Sequence, residues 1–538
     1  MTPAGSTPRG VPWRARGVDN VWILVGLALK RDRVMIPAWL LGLAAAVAVT
    51  ASSYSSLYAT EASRREVVQT LGTTPATLAL YGRIYADSVG GLVAWRVGGI
   101  ALALAGLMSI LLVVRHTRAE EETGRAELIG AGVVGRNAPL AAALITAGLT
   151  SLALGGCVVL ALLATGLGLT GSLALGASFA AVGLVFAATA AVTAQVAESS
   201  RGANGLAVGV LGGAFALRAI GDAGPHWVAW LSPLGWGQAL RPFADERGWV
   251  LLFLLALAIA LTAAAVQLAA HRDLGAGIIP PRPGPARGEL STPLQLAWRL
   301  QRGALAGWAA GFAILGAAFG SIAQDIGDVI GDSPKVLDAL KRLGGERSLA
   351  DTYLAATFGV LALIAAGYAV QAVLRLRGEE TSGRAEPLLA TSVSRTRWAL
   401  SHTFIALAGT AVLLAAAGLT AGIAYAAQTS DAGQVPRLLA AALTQTPAAW
   451  VIAGVTLALF GIAPRATVAA WGVLAACLAL AELGPVLELS KSVIDLSPFA
   501  RSPQLPGGTF TAAPLWLAAL AAAIAAAGLA GLRRRDVG

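Results

Sequence analysis

Thiols, imidazoles and lysines are scarce in this 538-residue chain, which has two cysteines, four histidines and four lysines. Cys157 and Cys477 stand alone inside apolar stretches, without CxxC or CxxH spacing, so neither a disulfide framework nor a zinc site organises the fold. His116, His226, His271 and His402 lack the i, i+4 spacing of a metal-binding helix and are read as bland. A P-loop needs lysine directly after glycine to reach the phosphates. Lys30 follows Leu29, Lys335 follows Pro334, Lys341 follows Leu340 and Lys491 follows Ser490, which excludes a Walker A site. Charged residues make up only 13% of the chain, about half the ~25% usual in soluble domains.

What is abundant is apolar: 56% of residues are hydrophobic and the mean hydropathy is +0.70. A spanning helix needs roughly 20 apolar residues. Runs bounded by charge or Pro/Gly predict spans at 34–51, 89–114, 138–165, 172–195, 205–222 and 249–270, then 303–323, 352–374, 398–427, 447–463, 467–486 and 513–532. The expected fold is an all-α integral membrane protein of about twelve transmembrane helices, with no room for a large soluble catalytic domain. Before the first span, the apolar stretch is cut by Lys30-Arg31-Asp32-Arg33, so it does not read as a cleavable signal peptide.

The net charge of +10 is a matter of topology rather than of nucleic acid, for which no basic patch calls. With a cytoplasmic N-terminus, the cytoplasmic segments hold 25 Lys and Arg against 12 outside, leaving Arg96 and Arg218 within spans. That twofold enrichment places the protein in the cell membrane with both termini cytoplasmic. The 64 glycines suit close helix packing in lipid.

Self-comparison reveals ordered internal matches. Glu120-Glu121-Glu122-Thr123-Gly124-Arg125-Ala126-Glu127 aligns with Glu379-Glu380-Thr381-Ser382-Gly383-Arg384-Ala385-Glu386 at an offset of 259, and Arg136 then falls on Arg395. Lys30, Arg33, Trp39 and Gly42 align with Arg299, Arg302, Trp308 and Gly311, and Leu231-Ser232-Pro233 matches Leu496-Ser497-Pro498. The reading is a duplication into two homologous six-helix halves, 1–270 and 297–538, joined by a Pro- and Arg-rich cytoplasmic linker at 271–296. Six spans per half make a parallel pseudo-dimer.

Both Gly-Arg-Ala-Glu loops fall on the cytoplasmic side. Within them Glu121 and Arg125, and Glu380 and Arg384, stand as i, i+4 pairs in the favourable order, a spacing worth only a few tenths of a kcal/mol on an exposed helix. Thr123 or Ser382 is placed to cap a short helix, with Leu128, Ile129 and Val133, or Leu388, Leu389 and Val393, as its apolar side. A merely solvated loop needs only basic residues, whereas these repeat acidic ones at fixed positions, which favours docking to a protein.

The second copy, from Glu379-Glu380 through Gly383-Arg384-Ala385-Glu386-Pro387-Leu388-Leu389-Ala390-Thr391-Ser392-Val393-Ser394-Arg395, resembles the coupling-helix segment of ABC-2 type exporter permeases. It carries Ser392 where that family commonly has proline, and the first copy, at 130–136, departs further. The duplicated form, with Leu231-Ser232-Pro233-Leu234-Gly235-Trp236-Gly237-Gln238 continuing to Arg241-Pro242-Phe243-Ala244, resembles actinobacterial permeases of polyketide-antibiotic or tetronasin type, multidrug exporters, over essentially the whole chain. The resemblance implies a permease subunit without enzymatic activity, expelling hydrophobic small molecules with ATP hydrolysed by two copies of a separate ATPase that carries the ATP and Mg. It implies coupling residues Glu120, Glu121, Gly124, Arg125, Glu127 and Arg136, and Glu379, Glu380, Gly383, Arg384, Glu386 and Arg395. It further implies amphipathic connecting helices at the membrane surface, about 18–33 and 290–302.

Charges within spans are costly and often functional. Trp95, Arg96 and Arg218 are the candidate pathway residues, with Arg96 facing a cavity between the halves. Asp222 and Glu482, near outer span ends, are read as reaching water, and Trp227, Trp230 and Trp236 as an interfacial belt beside a surface or re-entrant helix at 231–247. An ion-coupled twelve-span carrier is the main alternative, and predicts acidic residues at mid-membrane, where none is found. A membrane enzyme built on the acidic loop at 324–351 is a second. Neither accounts for the paired loops.

Overall fold

The computed structural model describes residues 20–72, 75–125, 127, 135–272, 277–278, 290–331, 349–483 and 490–535. The chain divides into two compact units, Met1–Gly284 and Pro285–Gly538. Among the described residues there is no strand, and eleven helices are long and apolar enough to cross a membrane. The protein is therefore an all-α, multi-pass membrane protein. The remaining expected span is the 15-residue apolar helix Ala469–Leu483.

The first unit begins with α1 (Val21–Arg31) and α2 (Met35–Leu57). α3 (Glu61–Leu71) and α4 (Pro75–Tyr81) connect to α5 (Val89–Gly98) and α6 (Ile100–His116). The short α7 (Arg118–Glu122) leads to α8 (Ala138–Ala164), α9 (Leu169–Val196) and α10 (Ser200–Ala223). After a turn of 3-10 helix come α11 (Pro233–Ala239) and α12 (Leu251–Ala270). α9 is the buried centre, packed on α6, α8, α10 and α12. It meets α8 at Gly155 and Gly176, where a Cβ on either would lie 2.6 Å from the other's carbonyl oxygen. Small residues there allow the backbone contact that drives packing in lipid. Ser109 and Ser151 share a 3.1 Å hydrogen bond between α6 and α8, so their hydroxyls are satisfied away from water. The opposite faces, such as Leu252 and Ile259 of α12, are exposed and suit lipid.

The second unit contains α13 (Pro293–Gly331), α14 (Leu349–Thr381), α15 (Ala385–Leu389) and α16 (Arg395–Thr429). α17 (Gln434–Leu443), α18 (Thr446–Ile462), α19 (Ala469–Leu483), α20 (Lys491–Ile494) and α21 (Ala513–Arg534) follow. α13 packs along α16 and α18 along α21. A Cβ at Gly461 would sit 1.9 Å from the Gly528 oxygen, again a backbone-to-backbone contact. Pro447 and Pro514 stand in the first turns of α18 and α21, where the missing N–H costs nothing.

Two expectations about continuity are corrected. The span expected at 89–114 is broken at Gly99, where the end of α4 comes so close that a Cβ would lie 2.5 Å from the Leu80 oxygen. The connecting segment at 290–302 is not a separate surface helix, because α13 runs through it into the span. In the first unit the corresponding helix does end, at Arg31, since Pro37 in the first turn of α2 removes an N–H and clashes with the preceding turn. The aligned position in the second unit is Ala306, which leaves the helix intact.

Candidate functional site

Each unit gathers its Gly-Arg-Ala-Glu motif and the end of its last span into one charged cluster. In the first unit α6 stops at His116, and the chain turns at Thr117 into α7. This aims the buried Arg118 inward, where its Nε donates to the Ala194 oxygen at 2.9 Å, at the end of α9, and its Nη1 to Glu121 at 2.7 Å. Arg272, two residues beyond α12, grips the same carboxylate with both terminal nitrogens, at 2.6 and 2.8 Å. This planar, bidentate pairing is the strongest geometry open to arginine and carboxylate. Arg136 closes the arrangement by donating to the carbonyls of Ala269, Ala270 and Arg272, the exposed acceptors at the end of α12.

The same four roles recur inside the second unit. Glu380, nearly inaccessible, receives Arg377 at 3.1 Å and both terminal nitrogens of Arg535, at 2.9 and 3.1 Å. Arg395, the first residue of α16, donates to the Arg535 carbonyl. Arg535 also lies over the Phe460 ring, 4.8 Å from its centroid.

The neighbouring glutamates are held differently in the two units. Glu120 pairs with Arg31 of α1 and, at 3.6 Å, with Arg125. Glu379 accepts from Trp398 Nε1 at 3.2 Å and faces His402 Nε2 at 3.4 Å and Arg375 at 3.5 Å. Gln301 Nε2 lies 3.0 Å from His402 Nδ1, so the imidazole is held between that amide and the carboxylate. In the first unit His116 and Arg115 both meet the buried Asp32, which fastens the end of α1 to the end of α6. His116 and His402 are thus not bland, a correction to the sequence reading. Glu122 accepts from the backbone N–H and hydroxyl of Ser200, tying α7 to the start of α10.

The local motif geometry corrects two further expectations. The i, i+4 pairs Glu121 with Arg125 and Glu380 with Arg384 do not form. Gly124 and Gly383 take φ of +71° and +70°, a left-handed step that ends the helix between the partners. Nor do Thr123 and Ser382 cap a following helix. Their hydroxyls donate backwards, to the Ala119 oxygen at 3.0 Å and the Gly378 oxygen at 2.7 Å, and so close the preceding one. α15 begins at Ala385, its N-cap Arg384 supplying no side-chain cap, and Ser394 caps α16 through Arg397 N. Beyond the glycines Arg125, Glu127, Arg384 and Glu386 are all exposed. Leu388, Leu389 and Val393 pack against the second unit's core, while Leu128, Ile129 and Val133 lie outside the described residues.

At the other end of the first unit, Trp95, Arg96 and Arg218 converge on one short segment. The four carbonyls at the end of α4 are taken in order by side chains. Arg218 Nη2 donates to Ala79 and Leu80 at 2.7 and 3.2 Å, Gln238 to Tyr81 at 2.8 Å, and Trp95 Nε1 to Gly82 at 2.9 Å. Arg96 is exposed, with its guanidinium 4.1 Å from the Tyr81 ring centroid. A helix C-terminus that would otherwise bury orphan acceptors is thereby fully satisfied. Asp222 does not reach water as expected: it is buried and pairs with Arg218 at 3.4 Å. Beside this clasp Tyr81, Arg83, Tyr85, Trp95 and Gln238 line a cavity of about 20 Å³, room for a single water. Trp230 stacks on Trp249 at 6.0 Å and receives the Trp236 Nε1 hydrogen bond on its carbonyl, while Trp227 is exposed. The Glu482 side chain and most of the acidic loop, 332–348, lie outside the described residues.

Sequence reading missed Arg118 and Arg377, Arg272 and Arg535. The first pair shares the 259-residue offset of the motif, and the second closes the last apolar run of each unit, so extending the self-comparison to its flanks would have found them.

The sequence matches the family described as multidrug efflux system permease Rv1217c, C-terminal domain, over residues 24–269 and 290–533. It is 45% identical over 540 residues to the multidrug efflux system permease protein Rv1217c of Mycobacterium tuberculosis (strain ATCC 25618 / H37Rv), covering 99% of this chain and 98% of that protein.

Proposed function

Since the chain belongs to the multidrug efflux system permease family, we propose that it is the membrane subunit of an ATP-binding-cassette exporter, moving hydrophobic small molecules out of the cell with ATP hydrolysed by a separate ATPase. The observation that carries this reading is the motif's division of labour in each unit. The inner glutamates, Glu121 and Glu380, are clamped to the unit's own helices. The outer residues, Arg125 and Glu127, Arg384 and Glu386, are left exposed beyond a glycine turn. An exposed mixed-charge surface on a rigidly held stem suits a protein partner, for which charge sets orientation and specificity. Two such surfaces call for two ATPase copies, and their recurrence supports the chain's descent from a duplicated half. The motif is cytoplasmic in this reading, as are both termini.

An ion-coupled carrier would need a free carboxylate in the membrane. Asp222 is instead tied to Arg218, which itself anchors a backbone segment.

Co-expression with a candidate ATPase carrying GxxxxGK[ST] tests the proposal. One permease should co-purify with two ATPase chains, and changing the P-loop lysine should abolish efflux. The double variant Glu127→Arg, Glu386→Arg should insert normally and lose the ATPase. Efflux by the permease alone under a proton gradient overturns the reading.

A further inference from the structure

We propose that Arg272 and Arg535 are positioning residues that gear each coupling motif to the last span of its own unit. This rests on the docking reading and goes beyond it by naming how a push on the motif would reach the membrane. The first observation is directional. Arg272 lies 151 residues from Glu121 in sequence and Arg535 lies 155 from Glu380, yet each grips its carboxylate with two nitrogens. The second is that the grip is doubled through the backbone. Arg136 and Arg395, which follow the motif and open the third span of their units, hold the carbonyls of Arg272 and Arg535. The last span is thus held from both sides of the motif, by side chain and by main chain.

A stem that needed only stability would be served by Arg118 or Arg377, within one turn of its glutamate. The long-range partner adds a rigid connection between helices. Arg272 makes two parallel hydrogen bonds to Glu121, and Arg535 makes one to Glu380 Oε2 with a second nitrogen in ion-pair contact with Oε1. Each guanidinium thus meets its carboxylate at two points and restrains rotation of the motif against the end of the last span. In the gearing model a displacement of Glu121 or Glu380 on ATPase closure carries α12 or α21 with it.

The test uses the complete permease with its ATPase in proteoliposomes, with a hydrophobic fluorescent dye as probe. Variants are Arg272→Gln with Arg535→Gln, and the milder Arg272→Lys with Arg535→Lys, which keeps charge and loses the two-pronged geometry. Three quantities are read: ATPase retained on purification, ATP hydrolysed, and dye moved per ATP. The Gln pair should retain the ATPase and hydrolyse ATP while dye moved per ATP falls about tenfold. The Lys pair, inserted at normal levels even where the Gln pair is not, should fall between Gln and the parent. Unchanged dye per ATP in the Lys pair and in folded Gln protein overturns the gearing, as does loss of the ATPase in proportion to lost transport, which would mark a purely structural role. A parent chain that binds no ATPase fails the docking reading itself and takes the gearing with it.

Discussion

Replacing Arg218 by methionine is the sharpest test of the clasp that holds the end of α4. The native guanidinium is fully buried, donates to the Ala79 and Leu80 carbonyls at 2.7 and 3.2 Å and faces Asp222 at 3.4 Å. Methionine fills much of the volume and supplies no donor. Hydrogen bonds from a charged group to two carbonyls are worth about 1.5–3 kcal/mol each, and stranding one member of a buried ion pair costs about 3–5 kcal/mol. These terms overlap, so a net loss of about 4 kcal/mol is expected. At 2–4 °C per kcal/mol that lowers the melting midpoint by roughly 10 °C. Melting should be followed in detergent at a fixed scan rate, since unfolding of such proteins is a kinetic measurement. Adding Asp222→Leu removes the stranded carboxylate and should recover about half of the loss, the remainder belonging to the two unmet carbonyls. Because Arg83 follows the clasped segment, tryptic cleavage there should quicken in Arg218→Met. A single variant melting within about 2 °C of the parent, or a double variant no better than the single, refutes the reasoning.

Three further outcomes follow from packing and charge. Gly461→Leu should lower the yield of folded protein sharply, because its Cβ would meet the Gly528 oxygen at 1.9 Å; overpacking costs about 1–3 kcal/mol even where side chains can yield, and size-exclusion profiles read it. Glu380→Gln leaves Arg377 and Arg535 facing a neutral amide and should melt roughly 6–12 °C lower, whereas Glu386→Gln, exposed at the start of α15, should melt with the parent. Gln238→Leu removes the donor to the Tyr81 carbonyl, which at about 1–3 kcal/mol for an unmet buried group should speed trypsin cleavage at Arg83 less than Arg218→Met does.

The membrane class and most spans were legible because apolar length is a local property. The run at 138–165 became Ala138–Ala164, and 513–532 became Ala513–Arg534. The break at Gly99 was not legible, since it answers to the Leu80 carbonyl, which belongs to another helix. The motif showed its charges but hid their partners. Helical spacing pairs Glu121 with Arg125, yet the left-handed Gly124 removes Arg125 from that face and hands Glu121 to Arg118 and to Arg272, far along the chain. His116 and His402 read as bland for the same reason, because Asp32 and Glu379 are brought to them by packing and not by spacing.

Pro37 gives the two units different mechanics. α1 and α2 meet at a joint pinned at Asp32 by Arg115 and His116, and α1 lies packed against α8. With Ala306 at the matching place, α13 is a beam of 39 residues, about 58 Å at 1.5 Å per residue. A force applied near Pro293 would travel along one continuous helix, whereas the same force on α1 would meet the break at residues 32–34. In the docking reading, equal pushes on the two units would meet a jointed lever in one and an unbroken rod in the other, a difference that traces to one proline.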